Sequence, residues 1–127
     1  MNVTKKKINI LIVDDDEKIR ELLQAVFSDM EYTCDTACDG QAGFKKTVNA
    51  SYDLIILDLN MPLMNGVDCL KAIRQVDPLI PIIVITGFQD IVEENKQTLS
   101  LANSIINKPF KIEAFINAVQ SLIRIKK

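Results

Sequence analysis

The feature that most constrains this chain is a set of apolar runs that barely alternate. INILIV at residues 8–13, LIIL at 54–57 and IIVI at 82–85 are apolar at almost every consecutive position. A strand exposed on one face alternates apolar with polar, so runs of this kind imply strands buried on both faces of a parallel sheet. Two weaker runs, Tyr32–Ala37 and Ser104–Asn107, have strand length and similar spacing along the chain. The five expected strands are therefore Ile8–Val13, Tyr32–Ala37, Asp53–Leu57, Pro81–Ile85 and Ser104–Asn107.

Between them lie segments with apolar residues three and four apart, the spacing of one helix face. The first carries Ile19, Leu22, Leu23, Val26, Phe27 and Met30, and the last Ile112, Phe115, Val119, Leu122 and Ile123. Gln41–Asn49 and Val67–Val76 read as shorter helices, the latter capped by Asn65. Gln89–Ser100 has helical composition, but VEENKQT is polar nearly all round, so this helix has little with which to pack. Strand and helix thus alternate as (βα)5. Short right-handed crossovers favour an α/β, doubly wound, flavodoxin-like sheet of order 2-1-3-4-5.

Composition narrows the function. The 127 residues are 48% apolar and 25% charged, which fits one globular domain over 1–127. Its ordered core is expected over roughly 6–125, since chain ends fray. Lys plus Arg is 15 against 17 Asp plus Glu, a net charge of −2, which gives no footprint for direct nucleic-acid binding. No apolar run approaches the roughly 20 residues that span a bilayer. The basic start MNVTKKK leads into an apolar run cut short by three carboxylates, so it is not read as a signal peptide and a cytoplasmic location is expected. The three cysteines (Cys34, Cys38, Cys69) form no metal-binding pattern and read as small buried thiols. Histidine is absent, which excludes Ser-His-Asp and Cys-His centres and means that any phosphohistidine must belong to a partner.

The polar residues that matter follow the strands. Asp14-Asp15-Asp16 follows the first, Asp58 the third, Thr86-Gly87 the fourth and Lys108-Pro109 the fifth. In doubly wound sheets the carboxyl ends of the strands form the binding edge. Each piece has an ordinary reading: Asp16 as a helix cap, Thr-Gly as a turn, Lys-Pro as surface punctuation. Their conjunction on one edge does not. Clustered carboxylates repel and need a cation, and Mg²⁺ suits hard oxygen ligands. On this reading Asp15 and Asp58 are direct ligands, with a backbone carbonyl just after Asp58. A metal beside a carboxylate, a hydroxyl and a lysine is suited to phosphoryl transfer onto an aspartate.

LIVDDDEKIRELL, LIILDLNMPLMNG, VITG and INKPF, in this order and spacing, resemble the motifs of the response-regulator receiver domain of bacterial two-component signalling. The resemblance covers essentially the whole chain. It implies that Asp58 accepts the phosphoryl group, that Asp15 holds Mg²⁺ directly and Asp14 through water, and that Asn60 offers its backbone carbonyl to the metal. It implies that the Thr86 hydroxyl and the Lys108 amine meet the phosphoryl oxygens, and that Lys108–Pro109 is cis. Met61-Pro62 and Gly66 fit the loop over the site, while Asn60 and Phe88 occupy positions that tune hydrolysis. The implied donor is a sensor histidine kinase or a histidine phosphotransfer protein. The implied output is a change of affinity, or homodimerisation, at the face of the fourth helix, fifth strand and fifth helix. Such a domain catalyses only its own phosphorylation and dephosphorylation.

Two positions depart from the pattern. Ile105 stands where the family has a Tyr or Phe, so the resemblance does not extend to the aromatic half of its switch. Leu101 replaces the Gly of a Gly-Ala pair before the fifth strand. Ile105 keeps open a receiver that docks or dimerises without phosphorylation. A small phosphohydrolase with an aspartyl-phosphate intermediate is the enzyme alternative, but Asn60 stands where its general acid belongs and cannot donate that proton. A nucleotide-binding flavodoxin-like protein is disfavoured because no GxGxxG follows the first strand.

Overall fold

A computed structural model describes residues 7–61, 65–87 and 89–126, with the backbone alone described at 89–91 and 124–126. The strands are β1 (Asn9–Val13), β2 (Thr33–Ala37), β3 (Leu54–Asp58), β4 (Ile82–Thr86) and β5 (Ser104–Asn107). The helices are α1 (Glu17–Asp29), α2 (Gly40–Asn49), α3 (Gly66–Val76), α4 (Gln89–Glu94), α5 (Lys96–Leu99) and α6 (Ile112–Lys126). All strand pairs are parallel, in the order β2-β1-β3-β4-β5, as the continuous apolar runs require.

The runs are continuous because each strand feeds two cores. Leu11, Val13, Ile55, Leu57, Ile82 and Val84 join one cluster with Leu70 and Ile73 of α3 and Leu99 of α5. Ile10, Ile12, Leu54, Ile56, Ile83 and Ile85 join the other with Leu23 and Phe27 of α1 and Phe115, Val119 and Ile123 of α6. Alternate side chains point to opposite faces, so both parities must be apolar. The second core is tied across its helices by aromatic rings: Phe27 and Phe115 lie 5.8 Å apart, and Phe115 and Phe110 5.4 Å. Each of the first three helices starts on a side-chain cap, Asp16 to the Lys18 N–H, Asp39 to Ala42 and Asn65 to Asp68.

Strand ends lie within one residue of expectation. The fourth helix does not: Gln89–Ser100 is two short helices, α4 and α5, parted at Asn95. Among the described side chains of this polar segment, only Val92 and Leu99 reach the core, few anchors with which to align one continuous helix. The cysteines also differ, with Cys69 buried, Cys34 half-buried and Cys38 exposed. Pro62 and Phe88 lie outside the described residues.

One side chain joins three segments at the opposite end of the sheet from the polar strand ends. Arg74, near the end of α3, donates from Nη1 to the carbonyls of Ile80 (2.7 Å) and Asp77 (3.2 Å). Its Nε reaches the Leu101 carbonyl (2.9 Å) and its Nη2 the Asn103 Oδ1 (3.0 Å), which also accepts from the Ile82 N–H. The guanidinium fork therefore sets the loop entering β4 against the loop entering β5. Arg74→Ala is expected to lower stability by about 2–3 kcal/mol, because it orphans several carbonyls at once. Arg74→Lys, with a point charge in place of the fork, should lose a large part of that. Urea unfolding of the three proteins measures both.

Candidate metal and phosphoryl site

Strand register assembles the site. Val13 pairs with Leu57, so the next residues, Asp14 and Asp58, emerge side by side at the carboxyl ends of β1 and β3. Asp58 in turn pairs with Ile85, which puts Thr86 at the end of β4 beside them, and Thr86 pairs with Asn107 just before Lys108. The Lys108 N–H donates to the Thr86 carbonyl at 2.7 Å, and the Lys108–Pro109 peptide is cis.

Asp14 and Asp58 are each only 3% exposed and Thr86 is fully buried, an unusual depth for carboxylates. One oxygen each from Asp14, Asp15 and Asp58 lies within 4.8 Å of the others. Against these charges stands the Lys108 ammonium, 3.6 Å from Asp58 Oδ1 and 3.8 Å from Asp14 Oδ2. It sits between the two carboxylates without fully engaging either. Asp15 is exposed, so the cluster opens to solvent on its side. Asp16 turns away to cap α1, and its N–H donates to Asp14 Oδ1 at 2.9 Å. The Asn60 N–H approaches Asp58 Oδ1 at 3.4 Å.

The start of α3 is held against the end of β3 by Gly66, whose N–H donates to the Leu59 carbonyl at 3.0 Å. A Cβ at Gly66 would lie 2.3 Å from both the Asp58 carbonyl oxygen and the Leu59 Cα, so any larger residue would push the Asp58 backbone aside. Arg20 also belongs to the surroundings, since its Nη1 donates to the Asp14 carbonyl at 2.7 Å. The sequence reading assigned Arg20 no role. Helical side chains lean toward the helix N-terminus, so a long cation in the first turn could have been expected to reach the preceding turn.

These environments leave the carboxyls poorly compensated. Burial, then the neighbouring Asp14 charge, pushes Asp58 up to about 6, although Lys108 and the Asn60 N–H pull the other way. Asp14 is also raised, chiefly by burial, against the Asp16 N–H and Lys108. Hard oxygen donors short of positive charge are the donor set a divalent ion such as Mg²⁺ fits. The cluster can therefore hold a metal ion.

Because folding raises Asp58, the folded protein binds more protons than the unfolded chain between about pH 4 and 6. Its contribution to stability is most favourable below that window and is lost as pH climbs through 6. Without divalent cations, Asp58→Asn should therefore raise stability by about 3 kcal/mol at pH 7.5 and by roughly half as much at pH 5. Thermal unfolding at the two pH values, in chelator, measures the difference.

Comparison with known proteins agrees with this geometry. The family model of the response regulator receiver domain matches residues 10–120. The response regulator ArlR of Staphylococcus haemolyticus is 35% identical over 116 residues, covering 91% of this chain and 52% of ArlR. ArlR of Staphylococcus aureus is 36% identical over 115 residues, with the same coverage of 91% and 52%. The chain thus spans about half the length of these curated relatives. Among solved structures, the Vibrio cholerae chemotaxis protein CheY4 superposes with a TM-score of 0.83 at 31% identity, over 92% of this chain and 99% of its own. The Thermotoga maritima response regulator TrrA, solved with Mg²⁺-BeF, gives 0.84 at 31% identity over 91% and 98%. With its sheet order, its acidic cluster and four motifs in register, the chain belongs to the response regulator receiver domains of two-component signalling.

Proposed function

We propose that this receiver takes a phosphoryl group onto Asp58 from a phosphohistidine of a partner sensor histidine kinase or histidine phosphotransfer protein, and thereby changes its affinity for an output partner. The observation that carries this reading is the placement of Asp58, buried beside Asp14 with the Lys108 ammonium between them. A carboxylate in water is a poor nucleophile toward anionic phosphorus, and positioning with charge stabilisation supplies most of what is missing.

In the proposed step an Asp58 carboxylate oxygen bonds to phosphorus as the phosphorus–nitrogen bond to the partner imidazole breaks. The bonding electrons leave with the imidazole nitrogen. With a pKa near 6, Asp58 is mostly ionised at neutral pH and available for attack. Lys108 shifts from bridging two carboxylates to meeting phosphoryl oxygens, and the Thr86 hydroxyl donates to another. Asp15, Asp58 and the Asn60 carbonyl would hold Mg²⁺ directly and Asp14 through water; when bound, the ion supplies positive charge against the phosphoryl oxygens. The chain acts on itself as a signalling domain, not as an enzyme turning over a separate substrate. Three free cysteines suit the reducing cytoplasm in which this reading places it.

The phosphoryl group replaces one charge with nearly two, enough to reorder adjacent loops. The output surface on this reading comprises α4 and α5, together the fourth helix of the sequence reading, with β5 and α6, the last being its fifth helix. Ile105 of β5 is exposed there, at 39%, and Leu101, in the turn between α5 and β5, is 42% exposed. The aliphatic Ile105 favours a second reading, docking or dimerisation without phosphorylation.

Intact mass after incubation with Mg²⁺ and acetyl phosphate separates the two. The gain of one phosphoryl group, abolished in Asp58→Asn and by chelator, is expected. In Lys108→Ala the gain should slow by about 10²-fold, the loss typical of one charge-stabilising donor. No gain in folded, Mg²⁺-bound protein would leave the docking reading.

A further inference from the structure

We infer that Arg20 is a positioning residue for the acidic pair: by fixing the Asp14 carbonyl it sets the direction of the Asp14–Asp15 peptide and so keeps the Asp15 carboxylate in the metal cluster. This rests on the proposed reading of the site as a Mg²⁺ centre and extends it to a side chain that touches neither metal nor phosphoryl group.

The turn between β1 and α1 is only Asp14, Asp15 and Asp16, and nearly every polar group bounding it is held. The Asp14 N–H is tied to the Ala37 carbonyl at the end of β2 (3.1 Å). Asp14 Oδ1 accepts from the Asp16 N–H (2.9 Å) and Oδ2 faces Lys108 (3.8 Å). Asp16 is fixed in turn, its Oδ1 accepting from Lys18 and its carbonyl from the Arg20 N–H (3.1 Å). The Asp14 carbonyl is held by Arg20 Nη1 at 2.7 Å, a short, charge-assisted bond.

Asp15 differs from its neighbours. It is exposed, yet its carboxylate comes within 4.8 Å of two buried ones that repel it. Nothing attractive in that trio holds Asp15 inward before a metal arrives, so its direction depends on the backbone. The peptide joining Asp14 to Asp15 sets that backbone. With Arg20 gone, the Asp14 carbonyl loses its donor and the peptide can rotate, letting Asp15 swing toward solvent. Arg20 resides in the first turn of α1, so the helix braces the peptide as a rigid element. Outer-shell partners of metal ligands generally affect affinity in this way.

The test is Mg²⁺ affinity, with Mg²⁺ alone as the probe, followed by amide chemical shifts of the full chain. Arg20→Gln should weaken binding by roughly 10-fold or more. Arg20→Lys keeps a cationic donor and should recover part of the loss. Val26→Ala, which trims a half-buried side chain of the same helix away from the turn, should lower the melting temperature without changing Mg²⁺ affinity. Wild-type affinity in Arg20→Gln would overturn the inference, as would an equal loss in Val26→Ala, which would make the effect one of helix stability. A wild-type chain with no response to Mg²⁺ would overturn the reading of the site itself, and the inference with it, which is a distinguishable failure.

Discussion

Two buried carboxylates held side by side against one loosely placed ammonium are the constraint on which the rest of this molecule depends. Asp14 and Asp58 are almost inaccessible to water, and Lys108 approaches them only to 3.8 and 3.6 Å. Left alone, such a pair sheds its charge or drives its holders apart. It persists because each carboxylate is carried by a strand of a sheet buried on both faces. Shifting β1 against β3 by one residue would turn the Leu11 and Val13 set toward the wrong core. The apolar interior thus enforces an electrostatic arrangement that local forces oppose.

Function follows from that opposition. A site already short of positive charge favours a divalent ion, and on the proposed reading that ion and Lys108 then offset the charge a phosphoryl group adds. Tightness on one side and openness on the other divide the labour. Gly66 brings α3 against the Asp58 backbone and Arg20 holds the β1–α1 turn, whereas Asp15 and Asn60 face solvent. Beyond β4 the structure loosens, with a polar helical segment broken at Asn95 and an edge strand that leaves Ile105 exposed. On the proposed reading, the change of charge at Asp58 is expressed where packing resists it least.

The parts of this design that rest on periodicity and strand ends were legible in the sequence. Continuous apolar runs located β1, β3 and β4 to within a residue, and their last residues pointed to Asp14, Asp58 and Thr86. Asp16 was rightly read as a cap, an assignment its bond to Lys18 bears out. The break at Asn95 was not foreseen, because weak amphipathicity signals poor packing but not where a helix divides. Arg20 and Arg74 were missed for a different reason. Both reach backbone carbonyls, which are identical along every sequence: the place of Arg20 in the first turn of α1 hints at its reach, whereas nothing in the residue pattern around Arg74 marks its partners. Side chains paired with strand termini are readable; side chains paired with backbone across a turn emerge only with the fold.

The most direct test of the account is to locate the modification. Borohydride reduces an acyl phosphate on aspartate to homoserine, and peptide mass spectrometry then reports which aspartate carried it. After treatment with a phosphodonor and Mg²⁺, homoserine is predicted at position 58 alone. Homoserine at Asp14 or Asp15, or none in a chain that has gained a phosphoryl group, would contradict the claim that the buried pair exists to make Asp58 the acceptor.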